Sequence, residues 1–163
     1  MKKAPAGQGG FTIIELIVVI ALLGILSAVA LPRFMNLTTD ARISVLEGVS
    51  GSVNEAASLV YSKALIKGVQ SSSTNTTDVV VEGTVIDLHW GYPRANVTAA
   101  GHGDITAAIK LSDGQLSTTS PAADKVRIGF DNADGGCYLE YTEPDATSAT
   151  ADQYETTLVK DNC

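Results

Sequence analysis

From Phe11 to Leu31 the chain runs twenty-one residues with a single ionisable side chain, Glu15. At about 1.5 Å per residue, a helix of that length spans roughly 30 Å, the hydrocarbon thickness of a bilayer. Pro32 closes the run. Proline removes an amide donor and crowds the preceding turn, so a kink or interruption is expected there. Beyond it the pattern turns amphipathic: Phe34, Leu37, Ala41, Val45, Val49, Val53, Ala56, Val60 and Ala64 recur at spacings of three and four. Asp40, Arg42, Glu47, Ser50 and Asn54 fill much of the opposite side. Gly48 and Gly51 weaken the middle by about 1 kcal/mol each relative to alanine, and Gly68 is placed to cap the end. The pattern predicts one long, kinked helix, wholly apolar at first and then needing a sheet against one face.

After a polar stretch from Ser71 to Asp78, the period shifts from helix to strand. Val79 to Glu82 and Thr84 to Trp90 read as strands around Gly83, followed by a turn at Gly91-Tyr92-Pro93. Gly103 to Leu111 is alanine-rich enough for a short helix, with Asp104 near its start. Lys125 to Phe130 alternates, with Val126, Ile128 and Phe130 on one side. Cys137 to Tyr141 alternates again after Asp134-Gly135-Gly136, and Tyr154 to Val159 is a further strand. Short neighbouring strands with tight turns predict an α+β fold, an antiparallel sheet packed on the second half of the helix. Trp90, Tyr92, Tyr138 and Tyr141 are expected as core and sheet residues rather than as a binding cage.

The carboxylate is the unusual feature of the apolar run. A charge at the centre of a membrane helix costs about 2.5–3.5 kcal/mol on insertion scales, and less near the boundary. Glu15 lies one turn inside, so it either snorkels to the headgroups or has a specific partner. Gly10-Phe11-Thr12-Ile13-Ile14-Glu15-Leu16, with Lys2 and Lys3 before it and the apolar helix after it, closely resembles the class III signal of type IV pilins and pseudopilins. The likeness covers the first thirty or so residues. A secretory signal peptide fits poorly, because its cleavage site follows a shorter apolar region rather than preceding a longer one.

The resemblance implies a division into a leader, 1–10, a transmembrane and filament-core helix, 11–31, an amphipathic continuation, 32–68, and a globular antiparallel-sheet region, 69–163. It implies cleavage between Gly10 and Phe11 by a prepilin peptidase and N-methylation of Phe11. It assigns Glu15 to pairing with the amine of a neighbouring subunit. Homopolymerisation with other pilin subunits would proceed on an inner-membrane assembly platform with its ATPase. Before assembly the chain would cross the inner membrane once with its N-terminus cytoplasmic, as Lys2 and Lys3 favour; afterwards it would lie in a cell-surface pilus. Gly91-Tyr92-Pro93, the Gly136-to-Glu143 stretch, Pro32-Arg33-Phe34 and Asn36 to Arg42 look like mannose-sensitive haemagglutinin (MSHA) pilins. That likeness implies a major pilin serving adhesion and surface attachment, with a surface or glycan ligand. A type II secretion pseudopilin, a minor pilin and a membrane-anchored periplasmic binding domain are the alternative readings.

Charge and cysteine usage narrow the picture. Eighteen acidic against eleven basic residues, with no basic stripe, argues against nucleic acid as a partner. Cys137 and Cys163, the two cysteines of the chain, fit an exported domain with one disulfide; two free thiols are the alternative. Zinc ligation lacks the spacing. Asn36, Asn75 and Asn96 open N-x-Thr triplets to which no role is assigned, and the Ser71–Asp78 loop reads as solvated, with O-linked sugar the alternative. No catalytic residue, metal site or cofactor is expected. His89 and His102 sit in no nucleophile context, and Gly101-His102-Gly103 is not a dinucleotide loop. The Asp131-to-Gly135 stretch departs from EF-hand spacing, although a calcium site of pseudopilin type is left open there.

Overall fold

The computed structural model describes residues 10–71, 79–97, 101–111, 115–130, 135–145 and 153–163, with the backbone alone of residues 32–36. Most of the expected leader, most of the Ser71–Asp78 loop, Asn75 and the stretch Asp131–Asp134 therefore lie outside the described residues. The chain divides into two compact units, Met1–Thr39 and Asp40–Cys163.

Helix α1 runs from Ile13 to Lys67, 55 residues. Its helical assignment continues without a break through Pro32, where an interruption was one expectation; the Pro32 side chain lies outside the described residues. At its far end Gly68 takes a positive φ of 70°. The Gly68 amide donates to the Leu65 carbonyl and the Val69 amide to the Ala64 carbonyl, each at 3.0 Å. Those two bonds form a Schellman cap, which glycine supplies without steric cost.

Within the second unit, α1 buries Leu46, Val53, Ala56, Ala57, Val60 and Ala64. The expected stripe is corrected at its start. Leu46, missing from it, is fully buried, whereas Val45 is 47% exposed and Leu37 63% exposed. Leu46 lies seven residues before Val53 and so shares its row, while Val45 falls about 100° round the helix. Two clusters cover this stripe. Val53, Ala56 and Ala57 meet Tyr92, Ala95, Ile105, Val126, Ile128, Leu139 and Tyr141. One to two turns further on, Val60 and Ala64 meet Val79, Val81, Ile86 and Leu88.

Strands β1 (Val79–Val81) and β2 (Thr84–Ile86) form a hairpin through Glu82-Gly83; β3 (Leu88–His89) and β4 (Tyr92–Pro93) form another through Trp90-Gly91. All four loop residues have positive φ, between 48° and 91°, the requirement of two-residue hairpins whose twist matches their strands. The turn expected at Gly91-Tyr92-Pro93 thus lies one residue earlier, and Pro93 pairs with Leu88 in a two-stranded ladder. The single strand expected from Thr84 to Trp90 is split at buried Asp87. The Asp87 amide donates to Gly103, and its carbonyl accepts from Arg94, both at 2.9 Å. β5 (His102–Gly103) pairs parallel to β2, and α2 (Ile105–Ile109) follows, N-capped by Asp104.

The main sheet is a four-stranded antiparallel ladder in sequence order: β6 (Ser117–Ala122), β7 (Lys125–Gly129), β8 (Tyr138–Thr142) and β9 (Glu155–Val159). Buried Val126, Ile128, Leu139 and Tyr141 alternate along its two central strands. β6, unexpected from sequence, is an edge strand whose register shifts between Thr119 and Ala122, which accommodates Pro121. A disulfide joins Cys137 to Cys163, with Cα atoms 4.8 Å apart.

Candidate functional site at the start of the long helix

The first turn of α1 is closed by its own side chains. Glu15 Oε2 accepts from the Thr12 amide and from the Thr12 hydroxyl, both at 2.8 Å. In return Thr12 Oγ1 accepts from the Glu15 amide at 3.4 Å. Threonine at the cap and glutamate three residues on form the reciprocal capping box, which satisfies amides that no preceding turn can bond. Thr12-x-x-Glu15 was legible in the sequence, yet the sequence reading gave Glu15 no local partner. The carboxylate has one.

The carboxylate has capacity for a second partner. The box occupies one carboxylate oxygen, while an ionised carboxylate offers about four acceptor sites over its two oxygens. Around it the side chains are apolar and uncovered by their own chain: Phe11 is 95% exposed, and Leu16 and Ile17 are more than half exposed. Ile13–Leu31 is long and apolar enough to cross a membrane, by length and composition, and none of it is buried inside the chain. A surface of this kind requires lipid or other protein around it.

Gly10, Phe11 and Glu15 thus fall within one short stretch, whereas Pro32 lies elsewhere on α1 and Cys137–Cys163 ties the sheet region. The histidines sit in polar clusters of the second unit. His102 Nδ1 is 2.5 Å from Asp87 Oδ1. Buried Glu143 accepts from the Ala95 amide at 2.9 Å and from Arg94 at 3.4 Å. His89 Nδ1 lies 3.3 Å from Glu143 Oε1, off the line of a hydrogen bond. These contacts were not foreseen, and they satisfy carboxylates that would be costly to bury alone. Tyr141 and Tyr92 are core residues as expected, while Tyr138 is half-buried beneath Arg127, whose guanidinium carbon lies 4.6 Å from the ring centre. Among the described residues no group of three or more His, Cys, Asp or Glu side chains could hold a metal.

The chain thus combines an apolar helix, uncovered by its own residues and long enough to cross a membrane, with a capped carboxylate at its start and a disulfide-tied α+β domain after it. Residues 5–31 match the family model described as a prokaryotic N-terminal methylation motif. The chain is 34% identical over 105 residues to the fimbrial protein EcpC of Eikenella corrodens, covering 63% of each chain. It is 27% identical over 134 residues to the type IV major fimbrial protein FimA of Dichelobacter nodosus, covering 71% of this chain and 84% of that one. Against the type IV major pilin PilE1 of Neisseria gonorrhoeae, identity is 48% over 52 residues, 29% of this chain and 32% of that one. The chain therefore spans just under two thirds of EcpC's length and about a third of PilE1's. No solved structure gives a significant match. The motif and these relatives support placement in the type IV pilin superfamily, whose members are structural proteins and not enzymes. The architecture described above fits the type IV pilin α+β fold.

Proposed function

We propose that this chain is the major subunit of an MSHA-type type IV pilus used for surface attachment. In this reading a prepilin peptidase cuts between Gly10 and Phe11, and the new amine on Phe11 is methylated. The chain then waits in the inner membrane, N-terminus cytoplasmic, until the assembly platform and its ATPase move it into the fibre. Phe11 to Leu31 serves first as anchor and then as polymer core. The carboxylate of Glu15, using the oxygen that its capping box leaves open, pairs with the Phe11 amine of a neighbouring subunit. A kink near Pro32 would let the helix adjust to fibre packing.

One observation carries the proposal above the others: a nineteen-residue apolar helix, covered by nothing in its own chain, begins with a carboxylate inside the matched methylation motif. A tethered binding domain needs the helix but not the methylation motif that opens it. The test is the mass of protein sheared from intact cells. A chain beginning at N-methylated Phe11 and two hydrogens short for the disulfide is expected. Protein that cannot be sheared off and retains Met1 would overturn the proposal.

A further inference from the structure

Where the last turns of α1 meet the edge strand β1, the second unit exposes an apolar patch that also carries positive charge. Ile66 is 86% exposed, Leu59 48% and Val80 44%. Leu59, Lys63 and Ile66 stand at i, i+4 and i+7 and so share one face of α1, with Lys67 one turn beyond Lys63. Burial alternates along β1, so that Val79 and Val81 are inside and Val80 faces outward. An exposed aliphatic residue is ordinary when it stands alone. Here several share one groove, lined by Lys63, Ile66, Lys67, Val79 and Val80, with a volume of about 200 Å³. That is smaller than the range of about 300–1,000 Å³ usual for sites that enclose a whole small molecule, and it suits a single anchoring side chain.

Charge sets the patch apart from the rest of the chain. The sequence has a formal net charge of −7, yet two lysines and no acid line this groove. Lys63 Nζ donates to the Val80 carbonyl at 2.8 Å, which holds the ammonium group beside the groove. An ammonium has three protons to give, so that bond leaves capacity for further acceptors. Glu82, in the turn of the β1–β2 hairpin, is paired with Lys110.

We infer that this patch docks an acidic segment of a partner protein, with one aliphatic side chain seated between Ile66 and Val80 and carboxylates meeting Lys63 and Lys67. The apolar walls supply burial, and the lysines select a partner of opposite charge. A neutral apolar segment would desolvate the two ammonium groups without replacing their water, and a basic one would be repelled. Anionic lipid could answer the same charges, but a slot between a helix and a strand receives one side chain rather than a plane of headgroups. The inference stands on the patch alone, and its test is independent of whether the chain assembles into fibres.

The experiment holds the full chain, one copy per disc, in phosphatidylcholine nanodiscs, so that no free detergent competes for the patch. The probe is a fluorescent peptide, acetyl-Asp-Glu-Leu-Leu-Glu-Asp-amide, followed by anisotropy. Its comparisons are the neutral peptide with Asn and Gln for the acids and an acidic peptide with Ser for the leucines. Saturable binding of the acidic leucine peptide is expected, with each comparison about tenfold weaker and a similar loss between about 0.05 M and about 0.5 M salt. Ile66 and Lys67 are exposed, so their variants leave the core intact. Ile66→Ser should weaken binding about tenfold and Lys67→Gln several-fold, with an unchanged melting curve. The inference fails if the acidic leucine peptide does not bind, if the neutral peptide binds as tightly, or if Ile66→Ser binds as wild type. Energy transfer between donor-labelled and acceptor-labelled discs that Ile66→Ser abolishes would make the occupant a second copy and overturn it. Capture of the discs by phosphatidylglycerol vesicles that Ile66→Ser abolishes would make the occupant a lipid surface, with the same consequence.

Discussion

Glu15 has two roles to separate, the helix cap seen in the structure and the pairing across subunits proposed from it. Thr12→Val removes the hydroxyl bond to Glu15 Oε2 but keeps the amide bond, each now 2.8 Å. Losing part of a cap costs about 1 kcal/mol, or roughly a fivefold change in an equilibrium. Glu15→Gln makes the opposite cut: its amide oxygen still accepts from Thr12, but the charge is gone. If a neighbour's amine faces that position in a dry core, its loss of a partner costs about 3–5 kcal/mol, two to three orders of magnitude in subunit addition. The assay compares sheared filament with total cellular protein by immunoblot for wild type, Thr12→Val, Glu15→Gln and Glu15→Ala. Both Glu15 variants should accumulate in the membrane with little or no filament, while Thr12→Val keeps most of its piliation. Normal piliation in Glu15→Gln, alongside a shared defect in Thr12→Val and Glu15→Ala, would show that the cap alone matters and would sink the pairing.

Three further predictions concern the second unit. Replacing Cys137 and Cys163 together by serine releases a loop with a sequence separation of 26; on the chain-entropy relation this costs about 3.5 kcal/mol, read as a drop in Tm of roughly 10 °C or more by calorimetry. A drop of under 2 °C would mean that the bridge restrains little. Tyr141→Phe removes the bond from the buried hydroxyl to the Pro93 carbonyl, 2.6 Å long, and should cost about 1–3 kcal/mol in denaturant unfolding because the carbonyl loses its partner. Glu140 is bonded by Lys125 at 2.9 Å and Arg127 at 2.8 Å, which hold its carboxyl below the ordinary value of 4.5. A lowered folded-state pKa gives stability that is present above the unfolded value and lost as pH falls through the folded one. Glu140→Gln should therefore lower stability at neutral pH and flatten its fall in acid below about pH 4.5; an unchanged acid slope would count against the pairing.

What the sequence disclosed followed from the strength of its periodicities. The apolar run, the alternation at Val126–Ile128 and Leu139–Tyr141, and the glycine cap at Gly68 each carry their own signal, and each element stands close to where it was expected. β6 carries none: Ser117 to Ala122 has almost no apolar residue and contains Pro121, so its extended form is imposed by pairing with β7. The hairpin turn slipped because Trp90 adopts a φ of 51°, a conformation uncommon for a bulky residue and unannounced by sequence. Leu46 and Val45 differ by one position, and only the sheet that covers the helix decides which of them is inside. The hydrogen bond from Tyr154 to Asn54 was beyond sequence reasoning altogether, since the two stand 100 residues apart.

The distribution of burial along α1 also constrains what the molecule is for. From Leu46 onward one stripe is sealed by the sheet region, and stability there resembles that of any small domain. Before it, Ile14, Leu16, Ile20, Leu23, Leu26 and Val29 remain between 56% and 69% exposed, with no polar side on which the helix could face water. At roughly 25 cal/mol per Å² of apolar surface, such a helix is stable only where lipid or other protein replaces water. Lipid alone would suffice for an anchor, with the second oxygen of Glu15 reaching the headgroups rather than a fixed partner. The proposed bundle of identical helices, each bringing one amine and one carboxylate to the same end, would answer the apolar surface and the charge together. On the proposed reading, the first twenty residues of the helix serve assembly as well as anchoring.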